Sequence, residues 1–233
     1  MSRDSRRFRD RTEAGRLLGE AIAEKGYADP VVLALPRGGI PIAIEVARAL
    51  AAPMDLILVR KIGVPSQPEL AAAAIVDGGE PETIYNDDVI AMTGLTRNRV
   101  DKLGKRQLEE IERRRALYLK DRPAVPVAGR TAIVVDDGIA TGATARAALH
   151  AMRRKQARKV VLAVPVGPSD TLASFAGEAD EVICLSEPVP FDAIGIHYLD
   201  FRQLDDDDVL ELMVEADRLT GDETGPSGTD ANT

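Results

Sequence analysis

The arrangement that most constrains this chain is an alternation of short aliphatic runs with longer stretches of helical periodicity. Val31–Leu35, Leu56–Arg60, Thr131–Val135, Val160–Val166 and Glu181–Leu185 are largely unbroken runs of β-branched and aliphatic residues, the composition of strands covered on both faces. Between them Ile40–Ala51, Ala143–Lys155 and Thr171–Gly177 read as crossover helices. Strand and helix in turn predict an α/β domain with a mostly parallel central sheet flanked by helices. A short additional strand is expected through Leu70–Val76. The 233 residues suffice for one such core with decoration and not for two full domains, so one domain is expected over residues 1–219.

Residues 61–128 are too many for a simple crossover and read as an insertion. Its later part, Thr96–Lys120, carries Val100, Leu103, Leu108, Ile111 and Leu117 among many charges, which predicts a surface helix with one packed stripe. Pro123 and Pro126 end it. Farther on, Asp205–Asp208 precedes Val209–Leu219, and the acidic run favours a helix N-terminus through the helix dipole. A metal site made from four consecutive aspartates is the weaker reading, since adjacent side chains on a helix diverge. Residues 220–233 are small and polar, the composition of a disordered tail.

Lysine and arginine number 30 against 38 aspartate and glutamate, a net charge of −8. Binding a nucleic-acid backbone usually needs a positive surface, so nucleic acid is not expected as a partner. A local basic pocket for a phosphorylated metabolite is compatible with that balance, and the basic runs Arg113–Arg115 and Arg153–Lys159 read as solvated helix faces. Cys184 sits in the apolar run Val182–Leu185 and reads as core packing. No stretch is apolar and long enough to span a bilayer, and Met1–Arg11 is polar without an apolar signal core. A cytoplasmic protein without a membrane partner is expected.

Chemistry is concentrated in Val134-Val135-Asp136-Asp137-Gly138-Ile139-Ala140-Thr141-Gly142-Ala143-Thr144, a buried strand that ends in two carboxylates and turns through two glycines into a helix. Gly138 and Gly142 permit positive φ, so successive backbone N–H groups can converge on an anion, and the helix starting near Ala143 adds partial positive charge. Thr141 and Thr144 offer hydroxyl donors. No lysine follows Gly142, as a Walker A loop requires, and the GxGxxG spacing of a dinucleotide site is absent. Carboxylates beside a phosphate repel it unless they face hydroxyl groups or a cation. A ribose 5-phosphate meets both demands, with its phosphate in the cup and its 2- and 3-hydroxyls on Asp136 and Asp137.

These residues resemble the phosphoribosyl pyrophosphate (PRPP) motif of type I phosphoribosyltransferases. The resemblance extends to Leu35-Pro36-Arg37-Gly38-Gly39-Ile40-Pro41, which is similar to the family's pyrophosphate loop. It implies a cis peptide at Pro36–Arg37 and pyrophosphate held by Pro36, Arg37, Gly38 and Gly39; alone, Arg-Gly-Gly reads equally well as an ordinary strand-to-helix turn. Leu58-Val59-Arg60-Lys61 looks like the family's Val-Arg-Lys, which implies that Arg60 and Lys61 neutralise pyrophosphate and that Ile62–Leu70 forms a mobile lid. Phe8-Arg9-Asp10-Arg11 before a helix and Pro68-Glu69-Leu70 complete a likeness to bacterial stand-alone phosphoribosyltransferases over residues 8–215.

What the resemblance implies is a type I phosphoribosyltransferase-like fold with a helical insertion and a small hood, transferring ribose 5-phosphate from PRPP to a small nitrogenous acceptor and releasing pyrophosphate. Catalysis falls to Asp136, Asp137, Arg60 and Lys61; the 5-phosphate lies on Gly138, Ile139, Ala140, Thr141, Gly142, Ala143 and Thr144; Mg²⁺ arrives on PRPP near Asp136 and Asp137. Asp137 is also placed to take a proton from the acceptor. The hood is expected at Glu187–Gln203, where Phe191, Tyr198 and Phe201 either stack on a flat ring or pack the hood itself, and His197 reads as structural rather than as a base. Related enzymes often work as dimers, so a homodimer is the matching expectation. The competing reading is a PRPP-binding regulator without turnover.

Overall fold

The computed structural model describes residues 7–77, 81–120 and 122–221, except for the side chains of Glu69, Thr220 and Gly221. Beyond Gly221, the expected tail lies outside the described residues.

The chain runs α1 (Arg11–Ala23), β1 (Pro30–Ala34), α2 (Gly39–Leu50), β2 (Met54–Leu56), β3 (Leu58–Val64), β4 (Gln67–Asp77), β5 (Pro81–Tyr85), α3 (Asp87–Thr93) and α4 (Arg97–Tyr118). It continues through β6 (Thr131–Val135), α5 (Ala143–Arg154), β7 (Lys159–Val166), α6 (Ser169–Ala173), β8 (Glu181–Ser186), a 3-10 turn at Ile194–His197, and α7 (Asp206–Gly221). The central sheet has the order β2-β1-β6-β7-β8, and every neighbouring pair is parallel.

Parallel pairing follows from burial on both faces. Along β6 and β7 alternate residues enter two separate cores. Ile133, Val135, Val161 and Ala163 pack with α1, α2 and α7, while Ala132, Val134, Val160 and Leu162 pack with α5. Each fully buried aliphatic side chain contributes about 1.5–3 kcal/mol, and no polar face exists for alternation to reveal. Because β1 and β6 are parallel neighbours with Ala34 opposite Val135, the segments that leave them, residues 36–39 and 136–142, emerge side by side at one sheet edge, where open α/β folds bind ligands.

Three expectations are corrected. The strand expected at Leu56–Arg60 is broken: Ile57 still donates its N–H to Ala34 O at 2.9 Å, after which the chain leaves the sheet and β3 starts an antiparallel sheet of order β3-β4-β5. Residues 54–58 are all buried, Asp55 among them, so no exposed or turn residue marks the break. The lid expected as a loop at Ile62–Leu70 is a β-hairpin turning at Pro65-Ser66, with Val64 paired to Gln67. The insertion is therefore a mixture of strand and helix. Finally, the helix expected at Thr171–Gly177 is shorter and starts earlier: α6 spans Ser169–Ala173, directly after Pro168, and the chain then reaches a left-handed Gly177 at φ 87°. The α4 helix matches its expected stripe at Val100 and Ile111.

α1 and α2 cross with little space between them. A Cβ on Gly15 would lie 2.8 Å from Ile42 Cα, and one on Gly19 would lie 2.9 Å from Ala49 Cβ. Gly15→Val is expected to cost about 1–3 kcal/mol by overpacking, seen as a lowered thermal midpoint with two-state unfolding retained. A wild-type midpoint would mean the helices separate freely.

Candidate active site

At the end of β6 the backbone N–H of Asp137 donates to Asp136 Oδ1 at 2.9 Å. The Asp137 carboxylate is gripped at Oδ2 by Arg11, from Nε at 2.9 Å and from Nη2 at 2.8 Å, and the two side chains are only 13% and 11% exposed. Arg11 is held in turn by Arg202 O, at 2.9 Å from Nη1, and its guanidinium lies 3.9 Å above the Phe201 ring. Tyr198 donates its O–H to Asp137 O at 2.6 Å. Burial, with the charge of Asp137 beside it, pushes the Asp136 carboxyl well up; burial also pushes Asp137 up, against the pull of Arg11.

The segment after β1 lies directly against this pair. A Cβ on Gly38 would sit 1.9 Å from Asp137 Oδ2, and one on Gly39 would sit 2.7 Å from Val135 O. Only glycine fits at residue 38. The Pro36–Arg37 peptide is cis, as the resemblance implies. The Arg37 guanidinium donates to Leu204 O at 2.6 Å and pairs with Asp206 at 3.1 Å, so this side chain ties the loop to the start of α7.

The turn of residues 138–144 is cup-like at its far end. Ile139 is buried, and its N–H is spent on Val166 O at 2.9 Å, while Gly138 backs onto Ile194 and Val166. Ala140 and Thr141 are exposed, and Gly142 adopts φ 73° with Phe175 so close that a Cβ would meet its ring at 2.6 Å. No side chain caps α5, and the hydroxyls of Thr141 and Thr144 have no partner among the described residues. The first-turn N–H groups of α5 are thus left for an anion.

Arg60 and Lys61 stand apart on β3. Arg60 pairs with Glu110 of α4 at 3.1 Å, Lys61 is exposed, and among the described residues no hydrogen bond or ion pair joins either to residues 36–39 or 136–144. The side chain of Glu69 lies outside the description. Asp206 and Asp208 of the acidic run are engaged by Arg37 and Arg202, and Asp205 and Asp208 cap one another's N–H groups at 2.9 Å. Cys184, pushed up to about 11 by burial, donates to Ser186 O.

The hood aromatics pack chiefly with one another. Tyr198 is buried against Phe8 and Phe201, and Phe191 stacks on His197 with centroids 5.5 Å apart. Burial lowers the His197 pKa, and its Nε2 lacks a hydrogen-bond partner among the described residues. The N-terminal segment closes this layer through three backbone bonds at 2.8 Å: Phe8 N to His197 O, Leu199 N to Phe8 O and Asp200 N to Arg9 O.

Arg11 is the site residue that sequence reasoning missed. It is the first residue of α1, and a cation there opposes the helix dipole, which was the available signal.

A family profile described as phosphoribosyl transferase domain matches residues 11–197, from Arg11 into the hood. The chain belongs to this family. Relatives in two strains of Mycobacterium tuberculosis, provisionally named phosphoribosyl transferases, are 49% identical over 211 residues, which is 91% of this chain and 47% of theirs. The chain thus spans about half the length of these curated relatives. The crystal structure of a Thermus thermophilus protein is 41% identical, covers 90% of this chain and 98% of its own, and superposes with a TM-score of 0.80. The family fold is the parallel five-stranded sheet described above. Among the described residues no helix is long and apolar enough to cross a membrane.

Removing the cation from the carboxyl pair should cost stability. Arg11→Gln leaves two neighbouring carboxyls without it, raising the folded-state pKa of Asp137 further above its unfolded value. The destabilisation is expected at about 3 kcal/mol near neutral pH, and it should shrink toward pH 5, where the native state keeps a proton that the unfolded chain loses. Equal losses at both pH values would contradict this. Asp136→Asn works the other way. Raised carboxyl pKa values make stability fall as pH rises above the ordinary carboxyl range, so the neutral amide should raise the thermal midpoint at pH 7.5 by about 2–4 °C and have a smaller effect at pH 5. A lower midpoint at pH 7.5 would mean that Asp136 is a stabilising anion.

Proposed function

We propose that this chain is a phosphoribosyltransferase domain that moves ribose 5-phosphate from PRPP to a small nitrogenous acceptor and releases pyrophosphate. The single observation that carries the reading is the contact between Asp137 and Gly38: the acids suited to a ribose diol lie directly against the loop suited to a leaving pyrophosphate. With Arg11 confined to Oδ2, Asp137 Oδ1 is left for a ribose hydroxyl. The uncapped start of α5, with Thr141 and Thr144, takes the 5-phosphate.

Bond breaking at the anomeric carbon puts positive charge on the sugar and negative charge on the departing group, so stabilisation is mainly electrostatic. Asp136 and Asp137 lie beside the positive sugar. Backbone N–H groups at Arg37 and Gly38 and the cations Arg60 and Lys61 serve the negative pyrophosphate. Asp137 accepts the acceptor's proton. The β3–β4 hairpin, in place of an open loop, is the segment that would exclude water from the sugar.

Mg²⁺ carried on PRPP fits this donor set. Mg²⁺ keeps several waters and needs one or two carboxylates beside substrate oxygens, and two adjacent carboxyls served by one cation, Arg11, are what the end of β6 supplies. When bound it would spread charge over the pyrophosphate and the ribose hydroxyls.

Asp137→Asn is expected to keep the fold and lower transfer about 10²- to 10⁴-fold, measured as pyrophosphate release from PRPP with Mg²⁺ across purines, pyrimidines and other nitrogen acceptors. Unchanged release would remove Asp137 from the reaction. PRPP bound tightly by the wild type without release for any acceptor would replace the enzyme with a PRPP-binding regulator.

A further inference from the structure

The edge of a guanidinium formed by Nε and Nη2 matches the two oxygens of a carboxylate as a fork. Arg11 does not use it that way. Its Nε at 2.9 Å and its Nη2 at 2.8 Å both fall on Asp137 Oδ2, and among the described residues no hydrogen bond from Arg11 reaches Oδ1. The hood turns the guanidinium off the fork. Nη1 donates to the Arg202 carbonyl at 2.9 Å, and the central carbon of the group stands 3.9 Å over the centroid of the Phe201 ring.

The hood reaches Asp137 by two further routes. Tyr198 donates its O–H to the Asp137 carbonyl at 2.6 Å in the protein interior, where a carbonyl left without a donor is costly. Ile194 packs on the next residue, Gly138, so closely that a Cβ there would lie 2.7 Å from Ile194 Cγ2. The carboxylate, the carbonyl and the following residue are thus all fixed from residues 194–202, while the Asp137 N–H is spent on Asp136. The same aromatics have little surface left for a flat acceptor. Tyr198 is 3% exposed, and it leans on Phe201 with centroids 5.0 Å apart. Phe201 itself carries Arg11 on its ring and has the Gly195 turn against its edge.

We infer that Tyr198 and Phe201 are positioning residues for Asp137 rather than a stacking platform for the acceptor: through the Asp137 carbonyl and through Arg11 they hold the carboxylate with Oδ2 occupied and Oδ1 open to the sugar. The inference rests on the phosphoribosyltransferase reading, which puts a ribose hydroxyl on Oδ1. Without the Phe201 ring the guanidinium can turn, take the fork and cover Oδ1, so that the protein's own cation competes with the sugar. Without the Tyr198 hydroxyl the hood no longer fixes the Asp137 backbone, and the direction of the carboxylate is lost with it.

Calorimetric titration with ribose 5-phosphate and, separately, with inorganic phosphate tests this, because both ligands reach the start of α5 and only the sugar reaches Asp137. No acceptor is present, so a residue that merely stacks on the acceptor has no means of changing either affinity. Tyr198→Phe should weaken ribose 5-phosphate about tenfold and Phe201→Leu about fivefold, with inorganic phosphate bound as by the wild type in both. Phe201→Tyr keeps a ring beneath the guanidinium and should restore wild-type affinity. Tyr198→Phe removes one oxygen and keeps the ring packing, so its outcome does not depend on how the Phe201 variants fold. Wild-type affinity for ribose 5-phosphate in Tyr198→Phe or in Phe201→Leu, equal weakening of both ligands, or binding by Phe201→Tyr as weak as by Phe201→Leu would each overturn the inference while leaving the proposed reaction standing. A wild type that binds ribose 5-phosphate no more tightly than inorganic phosphate would overturn the placing of the sugar on the acids, and with it the reading on which the inference rests.

Discussion

Asp136 and Asp137 close a strand that is buried on both faces, and ionising two adjacent carboxyls in such a place is costly twice over, through lost hydration and through like charge. Much of the surrounding structure answers that cost. Arg11 supplies a cation at 2.8 Å; Phe201 and the Arg202 carbonyl keep its guanidinium from swinging away; Tyr198 satisfies the Asp137 carbonyl. Gly38 leaves the room in which the carboxylate stands. The parallel pairing of β1 with β6 brings that glycine to the acid. A fold that only had to be stable would place an apolar residue at 136 or 137, so the pair reads as stability given up for a function.

Legibility in the sequence followed the range over which each feature is determined. Thr131–Val135 was matched to the residue because its burial is set by its own unbroken apolar run. The turn at 136–144 was equally plain, since its acids, glycines and hydroxyls are contiguous. The departure at Ile57 had no local mark, because residues 54–58 are buried on either side of it. Gly63, Pro65 and Pro68 read as loop residues, yet Gly63 and Pro68 lie in paired strands; the strand expected through Leu70–Val76 is there, longer than expected and held between β3 and β5. Arg11 was passed over because its partner lies 126 positions away.

Counting cations could not say which of them are spoken for. Arg37 and Arg60 look like free positive charge in the sequence, yet both are bound to carboxylates, Asp206 and Glu110. Lys61 and Arg106, equally ordinary by sequence, are without such partners among the described residues. Net charge describes the field around a protein, whereas binding depends on which charges remain uncompensated at one place, and that is decided by tertiary contacts.

The backbone bonds from Phe8 and Arg9 to His197, Leu199 and Asp200 bear on how the protein is made. Phe8 and Arg9 find their partners only when nearly two hundred more residues have been synthesised, and contacts so distant in sequence close slowly. Until then Arg11 has no hood to steady it, and the β6 acids have no fixed cation. The nascent chain can lay down its central strands in order while its pocket stays unfinished, so that competence for ligand waits on the arrival of the hood rather than accruing along the way.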